Sequence, residues 1–171
     1  MKNQVTHEKY HTIRNFSSLQ PFFMTLSSPL DHWLFISSSG GLTAGRISPE
    51  NAIFPYETVD KIHENWRYTG PKTIILANSG NNKIFWQPFN HDFPEDKNIV
   101  RNLYKSFIND EIIFEEINKK LNLSFKYSWR FSKKFGFIRK SCLKNFSKQN
   151  ITIKILDGIC NILPANTNKT L

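Results

Sequence analysis

The chain has 171 residues, a formal net charge of +9 and an isoelectric point near 9.6. That length suits one domain able to bury roughly two thirds of its unfolded surface without metal or disulfide staples. An aromatic content of 14%, with fifteen Phe and four Trp, excludes disordered, collagen-like and coiled-coil classes.

The chain opens with MKNQVTHEKYHTIRN, which has no apolar core of a signal peptide. No later apolar run approaches the roughly 20 residues needed to span a bilayer. The expected compartment is the cytoplasm, and the sparse cysteines, Cys142 and Cys160, agree with it. Residues 1–30 read as an irregular lead-in. Residues 33–37 read as a strand, followed by the Gly-rich SSSGGLTAGR of residues 37–46. From Gly40 this segment reads GGLTAGRI, close to the phosphate-binding loop GxxxxGK[ST]. Arg46 and Ile47 stand where that loop needs Lys and Ser/Thr, and Pro49 argues against the helix it must open. The structural expectation is that Gly40, Gly41 and Gly45 supply backbone angles other residues avoid.

Glu50, Glu57, Asp60 and Glu64 follow, with a short helix expected over 57–65. Paired carboxylates can cleave glycosides when about 5–10 Å apart across a sugar, but surface loops commonly carry acids. Strands are expected at 73–77 and 83–87, joined by a hairpin turn at 79–82. From Leu121 to Phe131 every odd residue is apolar and every even one polar, a long strand with one buried face. Residues 99–108, 111–119, 135–143 and 151–156 read similarly, so the spacing predicts an antiparallel meander. The fold class is all-β, a large antiparallel β-sandwich, complete within 1–171 or part of a larger one.

The charge is lopsided. Residues 1–98 carry nine Lys/Arg and nine Asp/Glu, whereas 99–171 carry fourteen and five, with no acid between Glu116 and Asp157. Such a block suits an anionic partner, a solvated sheet face or a domain-docking face. WRFSKKFGFIRK, residues 129–140, resembles the aromatic-and-Lys strands of single-stranded nucleic-acid binders. It lacks the glycine between Lys and the first Phe, and alternation assigns Trp129 and Phe131 to the core. A basic nucleic-acid-binding module is therefore the alternative reading. The five His are scattered without metal-ligand spacing, so no metal site is expected. Cys142 and Cys160 read as buried small hydrophobes.

Three blocks together resemble one family. They are HWLFISSSGGLTAGRISPENAIFPYETVDKIHENWRYTGPKTI (32–74), YSWRFSKKFGFIRKSCLKN (127–145) and ITIKILDGICNILPAN (151–166). The resemblance is to the N-terminal region of large bacterial proteins similar to cellobiose phosphorylases and other inverting glycoside phosphorylases. It implies a β-sandwich that precedes a helical linker and an (α/α)₆ barrel, the barrel carrying the general acid and the phosphate and sugar sites. The chain would then be an N-terminal fragment without catalytic residues of its own. Its carbohydrate and inorganic phosphate would be ligands of the full-length protein, with no metal or organic cofactor implied. Such a domain packs on the barrel, lends loops to the rim of the site and supports homo-oligomer contacts. Arg46, Tyr56, Asp60 and His63 are the expected rim residues, and Gly40, Gly41 and Gly45 the structural turn. Ile47, Ser48 and Cys160 depart from the family pattern.

Overall fold

The computed structural model describes residues 10–79, 82–92 and 96–164. Eleven strands, β1 to β11, and one short helix, α1, occupy them. The first sheet holds five strands in the order β1 (Tyr10–Ile13), β7 (Ile99–Ser106), β8 (Glu111–Asn118), β9 (Leu123–Ser132), β10 (Gly136–Asn145). A second contains β11 (Thr152–Cys160), β5 (Gly70–Ser79) and β6 (Asn82–Trp86), and a third β2 (Phe23–Ser27), β3 (His32–Ser37) and β4 (Leu42–Arg46). All pairings are antiparallel, so the fold is all-β and sandwich-like. The expected turn at 79–82 joins β5 to β6, and its central residues 80–81 lie outside the described residues.

Alternation sorts the first sheet into two faces. The rows Ile112–Trp129–Arg139 and Leu103–Phe114–Tyr127–Ser141 lie on one face by register. Leu103, Ile112, Phe114, Tyr127 and Trp129 on it are each no more than 3% exposed. Phe114 stacks on Tyr127 at 4.9 Å, while Phe89 meets Tyr127 edge-on at 5.1 Å. Phe54 closes on Trp129 at 6.1 Å. Pairs of this kind add about 0.5–1.5 kcal/mol each beyond their buried area. Among the described residues Phe16, Phe54, Phe114 and Phe125 are buried in the core, and Phe22, Phe89, Phe131 and Phe137 pack against it.

Three expectations are corrected. Residues 1–30 are not uniformly irregular, because β1 and β2 lie within them. Tyr10 to Ile13 pair with Ser106 to Leu103, a short edge too brief for its own periodicity to announce. The meander ends at β10, and β11 crosses to pair with β5, Thr152 opposite Asn78 and Cys160 opposite Gly70. The crossing brings Asp157 between β10 and β5. The carboxylate accepts from Arg139 Nη1 and Nη2 at 2.8 and 2.7 Å, Ser141 Oγ at 2.7 Å and Thr73 Oγ1 at 2.6 Å. One acid therefore ties β10 of the first sheet to β5 and β11 of the second. Finally, Cys142 and Cys160 are exposed free thiols, on outward positions of β10 and β11.

Glycine at 41 answers a question of space. A Cβ there would lie 2.1 Å from the Ile62 carbonyl oxygen and 2.3 Å from Asn65 Oδ1, whereas one on Gly158 would meet nothing within 4 Å. Gly41→Ala should lower stability by about 2–3 kcal/mol, as overpacking against backbone does. Gly158→Ala should change it by no more than about 0.5 kcal/mol. Urea denaturation midpoints of the two variants check this contrast.

Candidate functional site

The Gly-rich segment forms the β3–β4 hairpin, not a phosphate loop. Ser37 N–H donates to Gly41 O at 2.8 Å and Gly40 N–H to Ser37 O at 2.9 Å, and the chain continues as strand β4 where a phosphate loop would open a helix. Gly40 has φ +92°, which only glycine adopts readily, and its missing Cβ leaves room for the Tyr127 hydroxyl. Gly41 and Gly45 have ordinary φ and are small for another reason. A Cβ on Gly45 would sit 2.4 Å from Trp33 Cζ2. Ile47 just beyond is held at φ +66°, costly for a β-branched residue.

The four expected rim residues do not converge. Arg46 lies opposite His32 at the open end of the hairpin, donating Nε–H to Leu30 O at 3.2 Å. That is four residues from Leu42, about 13 Å along the strand from the turn. His63, on α1 (Val59–Glu64), docks at the turn end, its Nδ1 2.7 Å from Ser37 Oγ. A Ser–His pair at this distance has the geometry of nucleophile and base. Ser37 is fully buried, however, and its Oγ also accepts the N–H of Ser39 at 3.1 Å. The pair pins the helix to the hairpin. Tyr56 is 47% exposed and meets Trp33 edge-on at 5.8 Å. Asp60 is exposed, its carboxyl held below the ordinary range by the Thr58 hydroxyl and first-turn backbone N–H groups. Glu50 and Glu64 are exposed as well, on separate turns. None of the four acids, Glu50, Glu57, Asp60 and Glu64, lines either of the two clefts described below.

A cleft of about 950 Å³ lies elsewhere. It opens between the β6 edge of the second sheet and the part of β7 that runs past the end of β1. Phe85, Gln87, Asn90, Asn118 and Asn15 line it, with Phe85 57% exposed. Its floor is the carboxylate of Glu116, whose side chain is 2% exposed. Glu116 accepts from Trp86 Nε1 at 2.7 Å, Phe89 N at 2.6 Å and Arg101 Nε at 2.8 Å. Arg101 extends the network to Asn90 O at 2.8 Å and His91 Nδ1 at 3.1 Å. A guanidinium can only donate, so Nδ1 is unprotonated and His91 is neutral. Burial, reinforced by the Arg101 charge, depresses its pKa to about 4. With every partner internal, this carboxylate is not free to act as acid or base. The cleft wall combines amides and the exposed edge of Phe85 with the charged side chains of Asp96, Lys97 and Lys119.

The residues of this cleft were within partial reach of the sequence. In EIIFEEIN, alternation sets Glu116 on the same face as Ile112 and Phe114, a carboxylate on an apolar stripe. Trp86 and His91 carried no such signal, because their contacts cross from one sheet to another. Among the described residues no group of three His, Cys, Asp or Glu could hold a metal ion, and no helix is long and apolar enough to cross a membrane. Compared with known protein families and with curated proteins, the chain matches none.

His91 also sets a pH dependence. The unfolded chain takes up a proton below its ordinary pKa of 6.5, while the folded chain resists until about 4. Stability therefore falls as pH drops through this window, by on the order of 3 kcal/mol from this group. His32, lowered by burial and by Arg46, adds in the same direction. Denaturation from pH 7 to 4 should show the loss, and His91→Gln should remove most of it.

Proposed function

We propose that the chain is a non-catalytic β-sandwich domain of a carbohydrate-active enzyme resembling the cellobiose phosphorylases. In the whole enzyme, inorganic phosphate would attack an anomeric carbon with inversion while a general acid protonates the leaving sugar oxygen. That acid belongs to an (α/α)₆ barrel beyond this chain. The observation that carries the reading is the cleft of Phe85, Gln87, Asn90 and Asn118. Amides beside an exposed aromatic suit a polyhydroxylated ligand, Asp96, Lys97 and Lys119 add charged groups to the same wall, and the Glu116 carboxylate beneath them is engaged within the protein.

Two further features support it. The three blocks that carry the resemblance meet in one interior, Gly40 against Tyr127, Arg139 at 5.4 Å over the Tyr127 ring, and Asp157 joining Arg139 to Thr73. The outer face of the second sheet exposes Ile74, Phe85 and Leu156, an apolar surface suited to a neighbouring domain. In the segment behind the nucleic-acid alternative, Trp129 is only 3% exposed and Phe131 packs against the core, whereas Phe135 at the hairpin tip is 68% exposed.

The test joins these residues to the coding sequence that follows them. The extended protein should consume inorganic phosphate and a disaccharide and release a sugar phosphate, while residues 1–171 alone turn over nothing. In that protein Phe85→Ala should raise KM several-fold with kcat little changed, as loss of uniform binding does. A stop codon followed by an unrelated gene, or an extended protein inert toward glycosides, would overturn the reading.

A further inference from the structure

The outward face of the first sheet carries a second, separate cleft of about 660 Å³. Register places its residues. One row crosses all five strands as Thr12, Tyr104, Ile113, Ser128 and Lys140. The neighbouring rows on the same face are Glu111–Arg130–Ile138 and Asn102–Glu115–Lys126–Cys142. Arg130 and Lys140 are diagonal neighbours on adjacent strands, about 7–8 Å apart at the backbone. Both are exposed, line the cleft, and have no acid partner within 4 Å among the described residues. Glu111 stands directly across from Arg130 yet forms no ion pair with it. Its carboxylate instead accepts from the Tyr10 hydroxyl at 2.8 Å, and the residue is only 9% exposed. One bond fills one of roughly four acceptor sites on a carboxylate.

Within the cleft, which excludes Lys144 farther along the same face, the charges are nearly matched. Lys126 pairs with Glu115 at 2.9 Å, and Tyr104 and Asn102 donate to the same carboxylate at 2.6 and 2.9 Å. Burial would raise Glu115, but these partners hold its carboxyl below the ordinary range, so it stays ionised. Three cations, Lys126, Arg130 and Lys140, then face two acids, Glu111 and Glu115, an excess of one positive charge. A monoanion balances it. A bare polyanion meets a buried carboxylate beside its cations, which disfavours phosphate and nucleic acid here. Glu111 calls for a donor on the ligand next to the anionic group, and the volume falls in the range of small-molecule sites.

We propose that this cleft binds a small hydroxy acid, its carboxylate on Arg130 and Lys140 and a hydroxyl donated to Glu111. The assignment is independent of the phosphorylase-like reading, since it uses residues 1–171 alone and the face opposite the core.

The experiment titrates the 171-residue chain with gluconate, followed by amide chemical shifts and calorimetry. Of the comparison ligands, glucose lacks the carboxylate, acetate the hydroxyls, and inorganic phosphate replaces the carboxylate by a tetrahedral oxyanion with no sugar-like hydroxyl chain. Gluconate should bind saturably with shifts centred on β8 to β10, and the other three at least about tenfold more weakly. Arg130→Gln and Lys140→Gln should each weaken gluconate about tenfold without changing the melting temperature, because both side chains are exposed. Lys134→Gln, on the hairpin tip outside the cleft, should leave binding unchanged. The proposal is overturned if acetate or phosphate binds as tightly as gluconate, if the shifts map elsewhere, or if Arg130→Gln has no effect.

Discussion

A carboxylate buried between sheets is the constraint on which this sandwich depends. An ion removed from water loses several kcal/mol of solvation unless every acceptor position is filled. Glu116 meets that demand with three donors from three places: Trp86 at the end of β6, the backbone of Phe89, and Arg101 on β7. Satisfying one side chain therefore fixes the second sheet, the segment after it and the first sheet in a single arrangement. His91 is held neutral at the rim of the same network because Arg101 can only donate to it. The cleft above inherits its floor from this arrangement.

Asp157 plays the corresponding part at the other edge. Burial would raise its carboxyl, but Arg139, Thr73 and Ser141 hold it down to about 2. Two acids thus clasp the layers, near the β6–β7 opening and at the β10–β11 edges, with the aromatic core between them. Both carboxylates are engaged in holding the sheets together.

Much of the fold was legible in the sequence. The alternation from Leu121 to Phe131 identified β9 and its buried face, and the short helix before Asn65 was found within two residues. Local periodicity states which way a side chain points but not which strand lies beside it, so the departure of β11 from the meander was hidden. The candidate site was less legible for the same reason. Gly40 to Arg46 drew attention as a loop because glycine marks turns, yet Gly41 and Gly45 are there for close packing of α1 and Trp33. The Glu116 network and the Glu111–Arg130 face join residues many positions apart, and only the pairing of strands brings them together. The basic block was visible at once. Its meaning changed when Lys126 and Arg139 proved to be paired with Glu115 and Asp157, while Arg130 and Lys140, among the cations without an acid partner, share one cleft.

The central claim is that the Glu116 carboxylate couples the two sheets energetically. A double-mutant cycle on folding stability with Trp86→Phe and Glu116→Met isolates the bond that crosses between them, since Phe removes the donor and Met the acceptor. The account predicts a coupling of at least about 1.5 kcal/mol, in the range of a buried charge-assisted hydrogen bond. Additivity within about 0.3 kcal/mol would show that the sheets are held by the aromatic core alone, and would contradict it.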